Sequence, residues 1–243
     1  MIPDETLFTA VGIDVGKYWC YYSVVAWAEH ANGIVIDYGR FEVPSLEIGT
    51  ERGILLALRK FREEILNEGW LKGDQTVRPD VILIDAGWEP ETIYQWAAEN
   101  MSIGMRTWAS KGYGATQEGK SKNNYVEPKQ TGATVLAIGT GYHFARLPNG
   151  TTLVEVNSDH WKSWQHSRWE TPIEKDGALR LCKAPPHEHL TFCRHLVAEK
   201  KISEFVPGKG LIVRWVREQK ANHWLDATSL ACVGGNIAGI RLI

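Results

Sequence analysis

The sequence predicts an α/β protein: a mixed sheet that opens as a three-strand antiparallel meander, continues in parallel strands and carries helices on its flanks. Three observations lead there. Phe8 to Val15, Tyr18 to Ala28 and Gly33 to Val43 are successive runs rich in aromatic and β-branched residues, separated by short turns. From Glu51 to Glu68 the apolar residues Ile54, Leu55, Leu58, Phe61, Ile65 and Leu66 recur at helical spacing, and Gly69 follows as a stop signal. Val81-Ile82-Leu83-Ile84 is then an unbroken apolar run, the mark of a strand buried on both faces.

The remaining elements follow in order. Pro90 suits the first turn of a helix running to about Asn100, and Met105 to Ser110 reads as a further strand. Residues 111–131 hold glycines, lysines and an Asn-Asn pair without periodicity, and read as a mobile basic loop. Val135 to Arg146 and Thr151 to Val156 flank Pro148-Asn149-Gly150, a hairpin turn signal. Ser158 is placed to cap a helix through Trp169, and Leu179 to Cys182 makes a short strand. Pro185-Pro186 precedes a helix from about Glu188 to Lys201, with Leu190, Cys193, Leu196 and Val197 on one face. Leu211 to Val216 is the last strand, and Asn222 to about Val233 the last helix. No internal repeat and no long linker interrupts this order, so residues 1–243 read as a single domain.

Composition narrows the function classes without choosing one. At 44% hydrophobic and 23% charged, the 243 residues can bury a full-sized core. The net charge of -2 gives no global attraction to nucleic acid, so any such contact must come from local basic patches. Cys20, Cys182, Cys193 and Cys232 form no CxxC pair, which argues against a zinc ribbon or a disulfide framework and for a cytosolic protein. No apolar stretch approaches the roughly 18 residues of a membrane span.

Three carboxylates stand out by position: Asp14 in the first strand, Asp85 at the end of the buried strand, and Asp226 in the first turns of the last helix. Each residue also suits a cap, a turn or a salt bridge. Strand order decides whether they act together. A meander followed by a helical crossover would lay the first strand beside that of Asp85 and bring both carboxylates out at neighbouring points of one sheet. Such a pair repels unless a cation bridges it. Oxygen ligands of this kind select Mg²⁺ or Mn²⁺, and two such ions can activate water and stabilise the leaving oxygen in phosphodiester cleavage. Asp226 would complete the site.

Gly12-Ile13-Asp14-Val15-Gly16, Leu83-Ile84-Asp85-Ala86-Gly87, Lys111-Gly112, Asp159 to Lys162 and Asn222-His223-Trp224-Leu225-Asp226-Ala227 succeed one another at spacings that resemble the GpA-type terminase nuclease domain, from about Thr9 to Gly235. The resemblance implies a ribonuclease H-like fold. It also implies that Asp14, Asp85 and Asp226 are the catalytic, metal-binding carboxylates of an endonuclease that cuts concatemeric viral DNA during packaging. Its implied partners are double-stranded DNA, a terminase ATPase domain, the small terminase subunit and the portal, in the host cell cytoplasm. Where that family often carries Glu this chain has His223, and Asn157 stands in for an aspartate, with Asp159 two residues later. His223 and Asp159 are therefore auxiliary candidates. Lys111, Lys120 and Lys162 are the candidates for the DNA backbone, since phosphate neutralisation supplies most non-specific affinity. Trp161, Trp164 and Trp169 offer rings for base stacking, although core packing is the plainer use.

Two further patterns compete. Gly114 to Ser121 matches GxxxxGK[ST], the phosphate-cradling loop of nucleotide hydrolases, but the residues up to Pro128 lack the periodicity of the helix that this mechanism needs. Packaging terminases carry their ATPase in a separate preceding domain, for which this chain is too short; an excised domain or a split-gene product is the expectation. Gly12-Ile13-Asp14-Val15-Gly16 also suits actin-like small-molecule kinases, which need a second similar lobe. A non-catalytic DNA- or protein-docking module of the same fold is the third reading.

Overall fold

The computed structural model describes residues 1–114, 124–208 and 210–241. Its elements are β1 (Phe8–Val15), β2 (Trp19–Trp27), β3 (Gly33–Glu42), α1 (Ser45–Ile48), α2 (Thr50–Phe61), β4 (Trp70–Lys72), β5 (Gln75–Val77), β6 (Val81–Asp85), α3 (Pro90–Ser102) and β7 (Thr107–Tyr113). There follow β8 (Val135–Gly139), β9 (Tyr142–Arg146), β10 (Thr152–Asn157), α4 (Ser158–Trp169), β11 (Leu179–Leu181), α5 (Pro186–Leu196), β12 (Glu199–Val206), β13 (Gly210–Arg217) and α6 (His223–Ala238).

One nine-stranded mixed sheet organises the molecule, in the order β11-β3-β2-β1-β6-β7-β10-β9-β8. The meander β1-β2-β3 is antiparallel, and the crossover through α2 returns the chain parallel to β1, pairing Ile13 with Ile84. β7 and β10 extend the parallel centre. Such a sheet needs both faces covered, and the two-residue alternation of its strands supplies two apolar surfaces. Val11, Ile13, Ile82 and Ile84 pack under Ile54, Leu58 and Phe61 of α2 and under Ile93 and Trp96 of α3. On the other face Ala10, Val81 and Leu83 meet α6, with Trp161 of α4 and Phe192 of α5 beside them.

The position of α6 is set by small residues. A Cβ built at Gly12 would overlap the Ala227 carbonyl oxygen and lie 2.6 Å from the Ala231 nitrogen, so backbone rests on backbone. Gly234 repeats the close approach against the Ala10 methyl, which a Cβ there would meet at 3.0 Å. Eleven α6 residues from Trp224 to Gly235 are buried, as expected of a helix that is apolar all round.

Several sequence expectations need correction. The helix expected to reach Lys201 stops at Leu196, and Glu199 to Val206 is instead β12, paired along its length with β13. Val135 to Arg146 is two strands, turned at Gly141, whose φ of 66° suits glycine. The β4-β5 hairpin was not foreseen. Helix α4 is capped not by Ser158 but by Asn157, whose side chain accepts the His160 N–H at 3.0 Å. Lys111 to Tyr113, expected to open the basic loop, continue β7. Lys120 and all but the first residue of the Gly114 to Ser121 match lie outside the described residues. Among the described residues the strands form this one large sheet and two hairpins, not the paired lobes of an actin-like kinase. No described helix is long and apolar enough to cross a membrane.

Candidate active site

Along β1 the alternation that turns Val11, Ile13 and Val15 toward α2 turns Ala10, Gly12 and Asp14 toward α6. The same alternation along β6 turns Val81, Leu83 and then Asp85 to that side. Because β1 and β6 run parallel in register, Asp14 and Asp85 leave adjacent strands at their carboxyl ends. Helix α6 lies across them and contributes Asp226 from its first turn, where the helix dipole favours a carboxylate. The three side chains line one open cleft of about 280 Å³, together with Lys111, Ser158 and Lys162.

Each carboxylate has a different environment. Asp14 is 9% exposed, and its Oδ2 lies 2.7 Å from His223 Nδ1. Burial raises its pKa against the opposing hydrogen bond from His223, and the nearby charge of Asp226 raises it further. His223 stacks on Tyr21 with centroids 4.4 Å apart, which fixes the ring that contacts Asp14. Asp85 accepts a hydrogen bond from the Gly87 N–H at 3.1 Å, and among the described residues Lys111 is the cation that lowers its pKa. Burial, then the charge of Asp14, pushes its carboxyl up to about 7, with Asp226 adding to the effect. Asp226 is held on both oxygens: Lys162 Nζ lies 2.9 Å from Oδ1, and Asn222 Nδ2 donates to Oδ2 at 2.6 Å.

Lys162 and Asn222 also bind Glu199, a residue that sequence reasoning missed. Glu199 is 7% exposed; its Oε2 lies 2.7 Å from Lys162 Nζ, and its Oε1 accepts from Asn222 at 2.6 Å. Burial alone would lower the Lys162 pKa, but the charges of Asp226 and Glu199 outweigh it and raise the pKa instead. The sequence places Glu199 near the end of the helix expected to reach Lys201, off its apolar face. The usable signal was Pro207-Gly208 between two β-compatible runs, a hairpin mark.

The other candidates divide. Lys111 is exposed on the cleft wall, its Nζ 5.6 Å from the Tyr113 ring centroid. Lys162 faces the same cleft but is engaged by the two carboxylates. Asp159 is apart: it lines a neighbouring cleft with Asn157 and His160, and its Oδ1 accepts the Trp215 N–H at 3.1 Å. Trp161 is 1% exposed and belongs to the core, with Trp164 and Trp169 packed against the same cluster. Gly112 is required by Ser158, whose Oγ would overlap a Cβ at that position.

Two features bear on metal binding. Among the described residues no three Asp, Glu, His or Cys side chains converge as a closed cluster; the carboxylates stand around the cleft. Their chemistry still suits a hard cation, because every acidic donor is an oxygen and Asp85 lacks a full counter-charge.

A helix-flanked mixed sheet with an acidic cleft at the carboxyl ends of its central strands is compatible with the ribonuclease H-like fold. Over residues 1–242 the sequence matches the family described as terminase large subunit gpA, endonuclease domain, and the chain belongs to that family. No curated protein matches it.

Proposed function

We propose that this chain is a Mg²⁺- or Mn²⁺-dependent endodeoxyribonuclease that hydrolyses phosphodiester bonds of concatemeric viral DNA during genome packaging. The observation that carries the reading is the meeting of Asp14, Asp85 and Asp226 in one cleft at the carboxyl ends of two central parallel strands, in a chain of an endonuclease family. Such a site calls for positive charge: Asp14 and Asp85 are the residues that would hold a divalent cation, and Asp226, the third carboxylate of the cleft, would take a further ion only in place of Lys162. When bound, a divalent cation supplies an acidified water and a counter-charge for the leaving oxygen.

The residues of the chain prepare the cleft for this work. His223 and Tyr21 orient Asp14, Gly87 orients Asp85, and Lys162 with Asn222 orients Asp226. Lys111 stands exposed on the wall, where it would neutralise a backbone phosphate next to the cut. Double-stranded DNA is the substrate under this reading, and the terminase ATPase domain, the small terminase subunit and the portal are the assembly partners in the host cytoplasm. Nicking of supercoiled plasmid in Mg²⁺ or Mn²⁺, with EDTA as control, tests the activity. Asp14→Asn, Asp85→Asn and Asp226→Asn preserve shape, and each is expected to abolish cleavage in a folded protein. Wild-type-like cutting by any two of them would overturn the site.

A further inference from the structure

We infer that Lys162 takes the place of one divalent ion, so that the DNA-free protein holds a single Mg²⁺ or Mn²⁺ on the Asp14–Asp85 side of the cleft. The inference rests on the metal-dependent reading above and deepens it. It follows from an inventory of carboxylate oxygens.

Both oxygens of Asp226 are taken, Oδ1 by Lys162 at 2.9 Å and Oδ2 by Asn222 at 2.6 Å. The ammonium is anchored from its other side by Glu199 at 2.7 Å, and Glu199 is in turn held by Asn222. Lys162, with its side chain 13% exposed, is therefore a built-in part of the wall and not a surface lysine in passing contact. In the same cleft Asp14 Oδ1 and Asp85 Oδ2 have no hydrogen-bond or ion-pair partner among the described residues. One half of the cleft offers unneutralised oxygens, and the other already contains its cation.

A divalent ion drawn to Asp226 would meet an ammonium a few ångström away. In a partly buried site, where charges are weakly screened, that repulsion disfavours joint occupancy. The pair also has a directional consequence. Glu199 opens β12, so the residue that fixes Lys162 is delivered by the hairpin, not by the sheet. Lys162 is a positioning residue for Asp226 in this account, and Glu199 positions Lys162.

Mn²⁺ binding to the EDTA-stripped, DNA-free protein, followed by equilibrium dialysis and electron paramagnetic resonance, tests this directly. Wild type is expected to bind one ion per chain. Lys162→Met is expected to bind two, with the Kd of the second ion at least about tenfold lower than any second binding in wild type, a floor for removing a like charge so close. The double variant Lys162→Met, Glu199→Gln removes the lysine together with the buried carboxylate it neutralises, leaves Asp226, whose side chain is 28% exposed, held by Asn222, and should also bind two ions if the single variant does not fold. Two equivalent ions in wild type, or a folded double variant that still binds only one, overturns the inference. No Mn²⁺ bound by wild type overturns the metal-dependent reading beneath it.

Discussion

Replacing Asp85 by Asn removes a charge that the folded protein holds against burial and against Asp14. A carboxyl raised from 3.8 to about 7 favours its protonated form in the native state, so the native protein binds more protons than the unfolded chain between those values. Stability from this group is therefore present below about pH 4 and is lost as pH rises through 7. At 1.36 kcal/mol per pKa unit the full difference sets an upper bound near 4 kcal/mol above pH 7. The group is half-buried rather than sealed from water, so screening reduces the figure to about 2 kcal/mol. For a domain of this size that corresponds to about 4 to 8 °C. In EDTA at pH 8, Asp85→Asn should thus melt higher than wild type by that margin, and at pH 5 the advantage should shrink by more than half. Thermal unfolding by circular dichroism measures both. A variant that melts at or below the wild-type temperature at pH 8 would show that Asp85 is not the strained charge described, and the main support for a cation there would go with it.

Further outcomes are expected from the same structure. Millimolar Mn²⁺ should raise the melting temperature of wild type, by about 2.7 kcal/mol of stability at one hundred times its Kd, and should leave Asp85→Asn almost unmoved; an equal rise in both proteins counts against ligation by Asp85. Gly12→Ala forces a methyl group into the α6 backbone and should cost about 3 kcal/mol or more, read by denaturant unfolding, with wild-type stability as the contrary result. Lys111→Ala should weaken DNA binding and flatten its salt dependence by about one phosphate contact, measured by fluorescence anisotropy from low to moderate salt. Trp161→Ala should cost about 3 to 5 kcal/mol in stability, since the ring is core and not a stacking platform; normal stability with lost DNA affinity would reverse that assignment.

How much of this was legible in the sequence depends on how local the signals are. The strands of Asp14 and Asp85 could be read because burial on both faces leaves continuous apolar runs, and the helical period of α2 implied the crossover that makes β1 and β6 parallel. The Lys162–Glu199 pair could not be read, because its partners are 37 residues apart and no periodicity links a helix to a separate hairpin. The start of β12 was hidden for a related reason: Leu190, Cys193, Leu196 and Val197 keep helical spacing up to the point where the chain turns. Since β12 pairs with β13 outside the main sheet, its alternation is weak. Asp159 fitted the expected spacing but follows α4 into another cleft, which only the direction of that helix decides.

The seating of α6 on Gly12 also has a consequence in time. Asp14 and His223, in contact across the cleft, are separated by 209 positions, and Asp226 is farther along still. During synthesis the strands of Asp14 and Asp85 emerge before α6, and until α6 docks the ribosome-bound chain has no complete acidic cleft. Cleavage competence should therefore arrive abruptly, with the docking of one helix.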